Sequence, residues 1–188
     1  LSQWATYRDR MQTDVSLGLR VNPQMSFLDD DRYDPCRPHS KLGVPLEDLV
    51  AVLAREPDRL SGLEGVHVHT NCESQDFGEL LATVEHLGAR IGGLLGEIEW
   101  INLGGGYLID ESSDLEVLSE TVALLRSNYG LQVFIEPGTA FVRAAGYLVS
   151  TVLDTFESGG KRIAVLDTSV NHMPEVFEYG FEPDVLGH

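Results

Sequence analysis

The sequence predicts an α/β fold of parallel strands joined by crossover helices, and more narrowly part of a (β/α) barrel. Three observations carry that reading. Short β-branched and apolar runs at residues 15–21, 65–69, 100–103 and 132–135 read as strands. Between them lie segments of helical period: Leu46–Arg55, Phe77–Leu95, and residues 115–129, where Leu115, Leu118, Val122 and Leu125 share one face. Unusual residues follow each strand: Asn22-Pro23, His69-Thr70-Asn71-Cys72, Gly104-Gly105-Gly106 and Glu136-Pro137-Gly138. An open doubly wound sheet accommodates the alternation too, but in a barrel all these strand ends converge on one mouth, where an active site is built.

After Glu136 the rhythm changes. Residues 140–156 are apolar and rich in Val and Thr, Ser158-Gly159-Gly160 reads as a turn, and residues 162–166 form another strand-like run. This predicts antiparallel β-structure opening a second domain, so the expected division is 1–139 for the barrel segment and 140–188 for the start of a β-domain. Four strand–helix units are about half of a barrel's eight. The expectation is therefore an internal piece, with strands upstream of Leu1 and a second domain continuing past His188.

Charge narrows the partners. The 188 residues carry Lys+Arg 13 against Asp+Glu 30, a formal net charge of -17, which repels phosphate and argues against nucleic acid and anionic membrane. A hydrophobic content of 43% suits a folded core. No apolar run approaches the roughly 18 residues that span a bilayer, and residues 1–11 lack a signal-peptide pattern. Cys36 and Cys72 sit in no CxxC pair and read as free thiols, which fits a cytoplasmic setting. The lysines are Lys41 and Lys161.

Gly104–Gly106, directly after a strand, permits a tight turn and close approach of backbone N–H groups to a phosphate; a purely structural strand-to-helix turn fits as well. Glu136 places a carboxylate at the next strand end. It makes sense beside a phosphate if the same cofactor carries a protonatable nitrogen that Glu136 keeps protonated. His67 and His69 alternate on one strand and point to one side. Zinc ligation with Cys72, a buried structural role, and contact with a cofactor or substrate are the readings; no metal is expected, since later strand ends offer no further histidine. Arg20, among Leu17, Leu19 and Val21, calls for an anionic ligand or a buried ion pair. Asp29-Asp30-Asp31 reads as a solvated acidic loop.

Taken in order, these motifs resemble the pyridoxal-phosphate decarboxylases with the alanine-racemase-like fold, and most closely the carboxynorspermidine/carboxyspermidine decarboxylases. The residues that carry the resemblance are Gly18-Leu-Arg-Val-Asn-Pro23, Tyr33-Asp-Pro-Cys36, Ser40-Lys-Leu-Gly43, Gly65-Val-His-Val-His-Thr-Asn-Cys-Glu73, Asn102-Leu-Gly-Gly-Gly-Tyr107, Glu136-Pro-Gly138 and Asp167-Thr-Ser with His172-Met-Pro-Glu175. The fold implied is α/β, part of a (β/α)8 TIM barrel of the alanine racemase type followed by the start of a C-terminal β-domain.

The resemblance implies a role for each matched residue. His69 stacks on the pyridine ring, Gly104, Gly105, Gly106 and Gly138 cradle the phosphate, Glu136 holds the pyridine nitrogen protonated, and Arg20 lies near the ring oxygen. Glu175, with His172 and Glu178 nearby, meets the distal amine of a cationic polyamine substrate. Two positions depart from the family: Glu175 stands where Asp is more usual, and Thr139 where ornithine decarboxylases carry an arginine to the phosphate. The Schiff-base lysine is expected upstream, because Lys41 and Lys161 lie in a loop and a turn, so the segment alone is expected to be inactive. A homodimer is implied for the whole enzyme. The other classes are a fold-type III decarboxylase for diaminopimelate or ornithine, a catalytically inactive regulatory homologue, and a metal hydrolase.

Overall fold

The computed structural model describes residues 15–28, 30–110, 113–143, 145–178 and 180–186, together with residues 3, 6, 9 and 10. Leu1, Asp29, His188 and most of residues 1–11 lie outside the described residues. The chain divides into two compact units, Leu1–Ala144 and Ala145–His188.

The first unit is built on a five-stranded sheet. Its strands are β1 (Gly18–Asn22), β2 (Val44–Pro45), β3 (Gly65–His67), β4 (Trp100–Gly105) and β5 (Gln132–Glu136), ordered β2-β1-β3-β4-β5 with every neighbouring pair parallel. The crossover helices are α1 (Leu46–Arg55), α2 (Phe77–Leu95) and α3 (Glu116–Tyr129), and a short helix α4 (Gly138–Val142) follows β5.

Parallel register gives the sheet two chemically different faces, because side chains alternate along each strand. On one face Leu19, Val66, Ile101 and Val133 are register partners and pack with Leu49, Leu80, Val84, Leu87 and Leu125 of the helices. On the other, Arg20 pairs with His67, His67 with Asn102, and Asn102 with Phe134, so a polar row crosses the sheet just below its C-terminal edge. One layer lower, the Trp100 ring lies over Gly18 and Gly65, where a Cβ at either position would fall within the indole. Trp100 Nε1 donates to Ser16 Oγ at 2.7 Å, so the ring is anchored at its polar edge.

Local chemistry explains the helix ends. Asp76 caps α2, its carboxylate accepting from Gly78 N–H at 2.7 Å, and the buried face Phe77, Leu80, Val84, Leu87, Ile91 and Leu95 follows the helical period. α3 stops at Gly130, whose φ of 73° is left-handed.

Two expectations change, and one strand was not foreseen: the two-residue β2 pairs Val21 with Val44 and Asn22 with Pro45. β1 begins at Gly18 rather than at residue 15, and β3 ends at His67 rather than 69. Residues 140–143 and 145–151 are not strand: Pro137 turns the chain into the short helix α4, whose Thr-Ala-Phe-Val stretch continues helically, and strand structure begins again at Val152.

In the second unit, β6 (Val152–Ser158) and β7 (Lys161–Leu166) form the expected antiparallel hairpin. Its loop is Gly159-Gly160, with φ of 55° and 76°, the paired left-handed conformation that matches strand twist. A 3-10 turn, Val170–His172, and α5 (Glu175–Glu178) follow. Among the described residues no helix is long and apolar enough to cross a membrane.

Candidate active site

Past the end of β3 the chain folds over as a pinned loop. Thr70 and Asn71 are buried and joined by a 2.7 Å hydrogen bond from Thr70 Oγ1 to Asn71 Oδ1. Ser74 Oγ donates to Glu79 Oε2 on α2 at 2.8 Å. A second loop docks from below: the buried Asp34 carboxylate accepts from Cys36 N–H at 2.7 Å, and Cys36 Sγ donates to His69 O at 3.6 Å. Ser40 Oγ closes that loop on Pro35 O at 2.7 Å, and Gly43, at φ 89°, lies against the Arg20 side chain. The Asp-Pro-Cys and Ser-Lys-Leu-Gly motifs thus serve to hold His69 and Arg20.

The His69 ring is fixed at both nitrogens. Gly105 N–H points to Nδ1 at 3.5 Å and Cys72 Sγ lies 3.2 Å from Nε2. An amide N–H can only donate, so this contact assigns Nδ1 as acceptor and Nε2 as carrier of the ring hydrogen. Burial, helped by the Arg20 charge, holds both His67 and His69 below the usual imidazole range, although Glu136 opposes the shift. Both are neutral at pH 7. Burial pushes the Cys36 thiol up to about 12 and raises Cys72 as well, so neither is an activated nucleophile.

The glycine run closes β4, with a register shift between Asn102 and Gly105 that sets Gly105 opposite Glu136. Gly104 has φ 73°, and a Cβ there would lie 2.6 Å from Val68 O and 2.8 Å from His69 Nδ1. Gly106 has φ 87°, and its Cβ would lie 2.6 Å from Cys72 Cα. These are positions only glycine fills, and they leave backbone rather than side chains at the mouth. Asn102 ties the loop to the carboxylate: its Oδ1 accepts from Gly104 N–H at 2.9 Å while its Nδ2 donates to Glu136 Oε1 at 2.7 Å. The Glu136 side chain keeps 54% of its exposure and faces the open side. His67 Nε2 is buried and stands 3.9 Å from Glu136 Oε1, beyond hydrogen-bond reach.

Of the residues singled out in the sequence, His69, Gly104, Gly105, Gly106 and Glu136 come together at one sheet edge, with Arg20 in the polar row beneath. Gly138 opens α4 two residues beyond Glu136, its N–H among those a helix start leaves free. His172, Glu175 and Glu178 lie in the second unit, all exposed; His172 Nδ1 accepts from Ser169 N–H at 3.2 Å, leaving Nε2 available. Asn102 was quoted in a motif without a role. Its signal is an Asn two residues before a left-handed glycine, the pattern of an Asx turn.

The donor set fits pyridoxal phosphate. A side-chain-free glycine cradle, a neutral imidazole held edge-on by its neighbours, and a carboxylate oriented by an amide provide for a phosphate, a ring face and a ring nitrogen respectively.

The parallel sheet with its chemistry at the strand ends is the fold seen in the fold-type III decarboxylases, as two solved structures show. The chain superposes on crystalline diaminopimelate decarboxylase with a TM-score of 0.71 at 20% identity, covering 88% of this chain and 42% of that one. It superposes on carboxynorspermidine decarboxylase from Campylobacter jejuni, crystallised with norspermidine, with a TM-score of 0.75 at 32% identity, covering 93% of this chain and 43% of that one. In sequence it is 36% identical to carboxyaminopropylagmatine decarboxylase of Synechocystis over 100% of this chain and 48% of the relative. It is 34% identical to carboxynorspermidine/carboxyspermidine decarboxylase of Campylobacter jejuni over 99% of this chain and 47% of the relative. No protein-family model matches. The chain is thus similar over nearly all of its residues to decarboxylases of carboxylated polyamines, and it spans about half the length of the curated relatives it matches.

Proposed function

We propose that the protein carries the cofactor-binding segment of a pyridoxal-phosphate-dependent decarboxylase that converts carboxynorspermidine or carboxyspermidine to norspermidine or spermidine. The observation that carries this reading is the Asn102 amide joining the glycine loop to Glu136 beside a neutral His69. When bound, pyridoxal phosphate supplies an electron sink for the charge left as CO2 departs. Around it the protein's groups have separate tasks. Gly104, Gly105, Gly106 and Gly138 offer backbone to the phosphate, His69 packs against the ring face, and Glu136 holds a proton at the ring nitrogen, which deepens the sink. Arg20 places positive charge on the same face of the sheet, toward the ring oxygen.

The substrate reading rests on charge. A net charge of -17 attracts a polycation, and Glu175, Glu178 and His172 offer acceptors to its distal amine. A diaminopimelate enzyme needs cations for a second carboxylate, and the residues matched to that position are acidic. The lysine that carries the cofactor is expected in sequence outside this segment, and the working enzyme is read as a cytoplasmic homodimer.

The test is CO2 release by a full-length protein containing this segment, offered carboxynorspermidine, carboxyspermidine and diaminopimelate. Turnover of the carboxylated polyamines, lost in Glu136→Gln, is the expected result. Preference for diaminopimelate, or no turnover of any of them, overturns the reading.

A further inference from the structure

We propose that His67, His69 and Glu136 form a binding site for one divalent transition-metal ion of the zinc type when the pocket is free of cofactor. Among the described residues these three bring their ligand atoms within 4.8 Å of one another. Two imidazoles and one carboxylate are a recurrent zinc donor set that leaves a position open.

The distances favour an ion over a hydrogen bond. His67 Nε2 is a buried atom with no hydrogen-bond partner, and its 3.9 Å separation from Glu136 Oε1 is too wide for a proton to bridge. Zinc bonds to imidazole nitrogen and to carboxylate oxygen are each about 2.0–2.2 Å, so tetrahedral ligation sets the two atoms roughly 3.3–3.6 Å apart, and the 3.9 Å pair closes on an ion by about half an ångström. It also resolves a buried polar atom that is otherwise uncompensated in either tautomer: as an acceptor it faces a carboxylate, and as a donor it falls short.

The surroundings support ligation. Asn102 Nδ2 donates to Glu136 Oε1 at 2.7 Å, the kind of outer hydrogen bond that orients a ligating carboxylate, and the same oxygen keeps a second lone pair for the ion. His67 closes β3 and His69 follows two residues on, and both imidazoles belong to the cluster of converging ligand atoms; with Nε2 carrying hydrogen toward Cys72, His69 offers Nδ1. Imidazole donors select zinc, copper or nickel over magnesium or calcium.

This site does not depend on the decarboxylase reading, but it shares His69 and Glu136 with it, so metal and pyridoxal phosphate exclude each other. The chain, stripped with chelator, is titrated with Zn²⁺ against a chromogenic competitor, and the absorption of its Co²⁺ form is recorded. The expected result is one equivalent bound, with a low-symmetry Co²⁺ spectrum. His67→Ala and Glu136→Gln each weaken binding about tenfold or more, and His86→Ala, on α2, leaves it unchanged. Glu136→Gln is isosteric at an open position, so it reports on the site even if His67→Ala fails to fold. Zinc affinity indifferent to both substitutions, or too weak to compete with the indicator, overturns the proposal. Binding lost in both variants yet unaffected by added pyridoxal phosphate upholds the metal site and counts against the cofactor reading instead.

Discussion

Asn102 and Glu136, on neighbouring strands, are joined by a 2.7 Å hydrogen bond from Nδ2 to Oε1, and the other end of the same amide holds Gly104 N–H at 2.9 Å. One side chain therefore sets the spacing between the glycine loop and the carboxylate. Hydrogen bonds to charged groups contribute about 1.5–3 kcal/mol, with the lower end fitting an acceptor this exposed. Asn102→Ala is expected to weaken pyridoxal phosphate binding by the full-length protein about tenfold. Asn102→Asp is expected to weaken it further, since two carboxylates would then meet at hydrogen-bond distance. Titration of cofactor absorbance measures both; equal affinities for wild type and both variants would show that Asn102 positions nothing.

The glycines of this chain are not equivalent, and alanine separates them. Gly104 combines φ 73° with a Cβ position 2.6 Å from Val68 O and 2.8 Å from His69 Nδ1, so Gly104→Ala must displace the histidine. A left-handed alanine alone costs about 1–2 kcal/mol, and the clash adds to it. Gly93, on the exposed side of α2, has nothing within 4 Å of its Cβ position. Gly93→Ala is expected to stabilise the chain by about 0.5–1 kcal/mol. Urea denaturation of the two variants should move in opposite directions.

The parts legible in the sequence are those governed by local period and local turn chemistry. Helices α1 and α2 begin and end where apolar spacing places them, α2 with Asp76 as its cap, and Gly159-Gly160 closes the hairpin as a left-handed pair. The parts that were not legible depend on partners distant in sequence. Val44–Pro45 becomes a strand only because Val21 lies beside it, and nothing in two residues announces pairing. Gly18 and Gly65 look like ordinary strand breakers until Trp100 covers both. In the site, His69, the glycine run and Glu136 were legible because each sits at or just past a strand's C-terminal end, whereas the bridging function of Asn102 needed the register shift that brings Gly105 opposite Glu136.

That Trp100 arrangement is open to a direct test. A methyl group at Gly65 would intrude on the indole, so Gly65→Ala is expected to destabilise by about 1–3 kcal/mol, the range for overpacking. If the indole is the cause, Trp100→Leu in the same chain should restore part of the loss, giving a coupling energy of about 0.5–3 kcal/mol in a double-mutant cycle. Additive effects would mean that the glycine is required for backbone conformation instead.

Thiol chemistry offers a third check on the architecture. Cys36 is buried under the His69 loop, its thiol pushed up to about 12. At pH 8 the folded chain should take up iodoacetamide at Cys72, which is part-exposed, well before Cys36, and urea should abolish the difference. Equal rates in the folded chain, measured by peptide mass, would show that the Asp-Pro-Cys loop does not cover the histidine.

The histidines make the fold pH-dependent in a definite direction. Burial, with Arg20 adding positive charge, lowers both His67 and His69, so the unfolded chain binds protons more readily than the folded one. Where the unfolded state holds more protons, stability rises with pH. The contribution of these neutral imidazoles is therefore fully present above an ordinary histidine value of about 6.5 and is lost as pH falls through the lower folded values. Urea midpoints measured from pH 7.5 down to 5 should decline. The decline should be shallower in His67→Gln/His69→Gln, which keeps polar groups in place but removes the titration. If both proteins decline equally, carboxylates elsewhere govern that window, and the imidazoles are not held neutral by their burial.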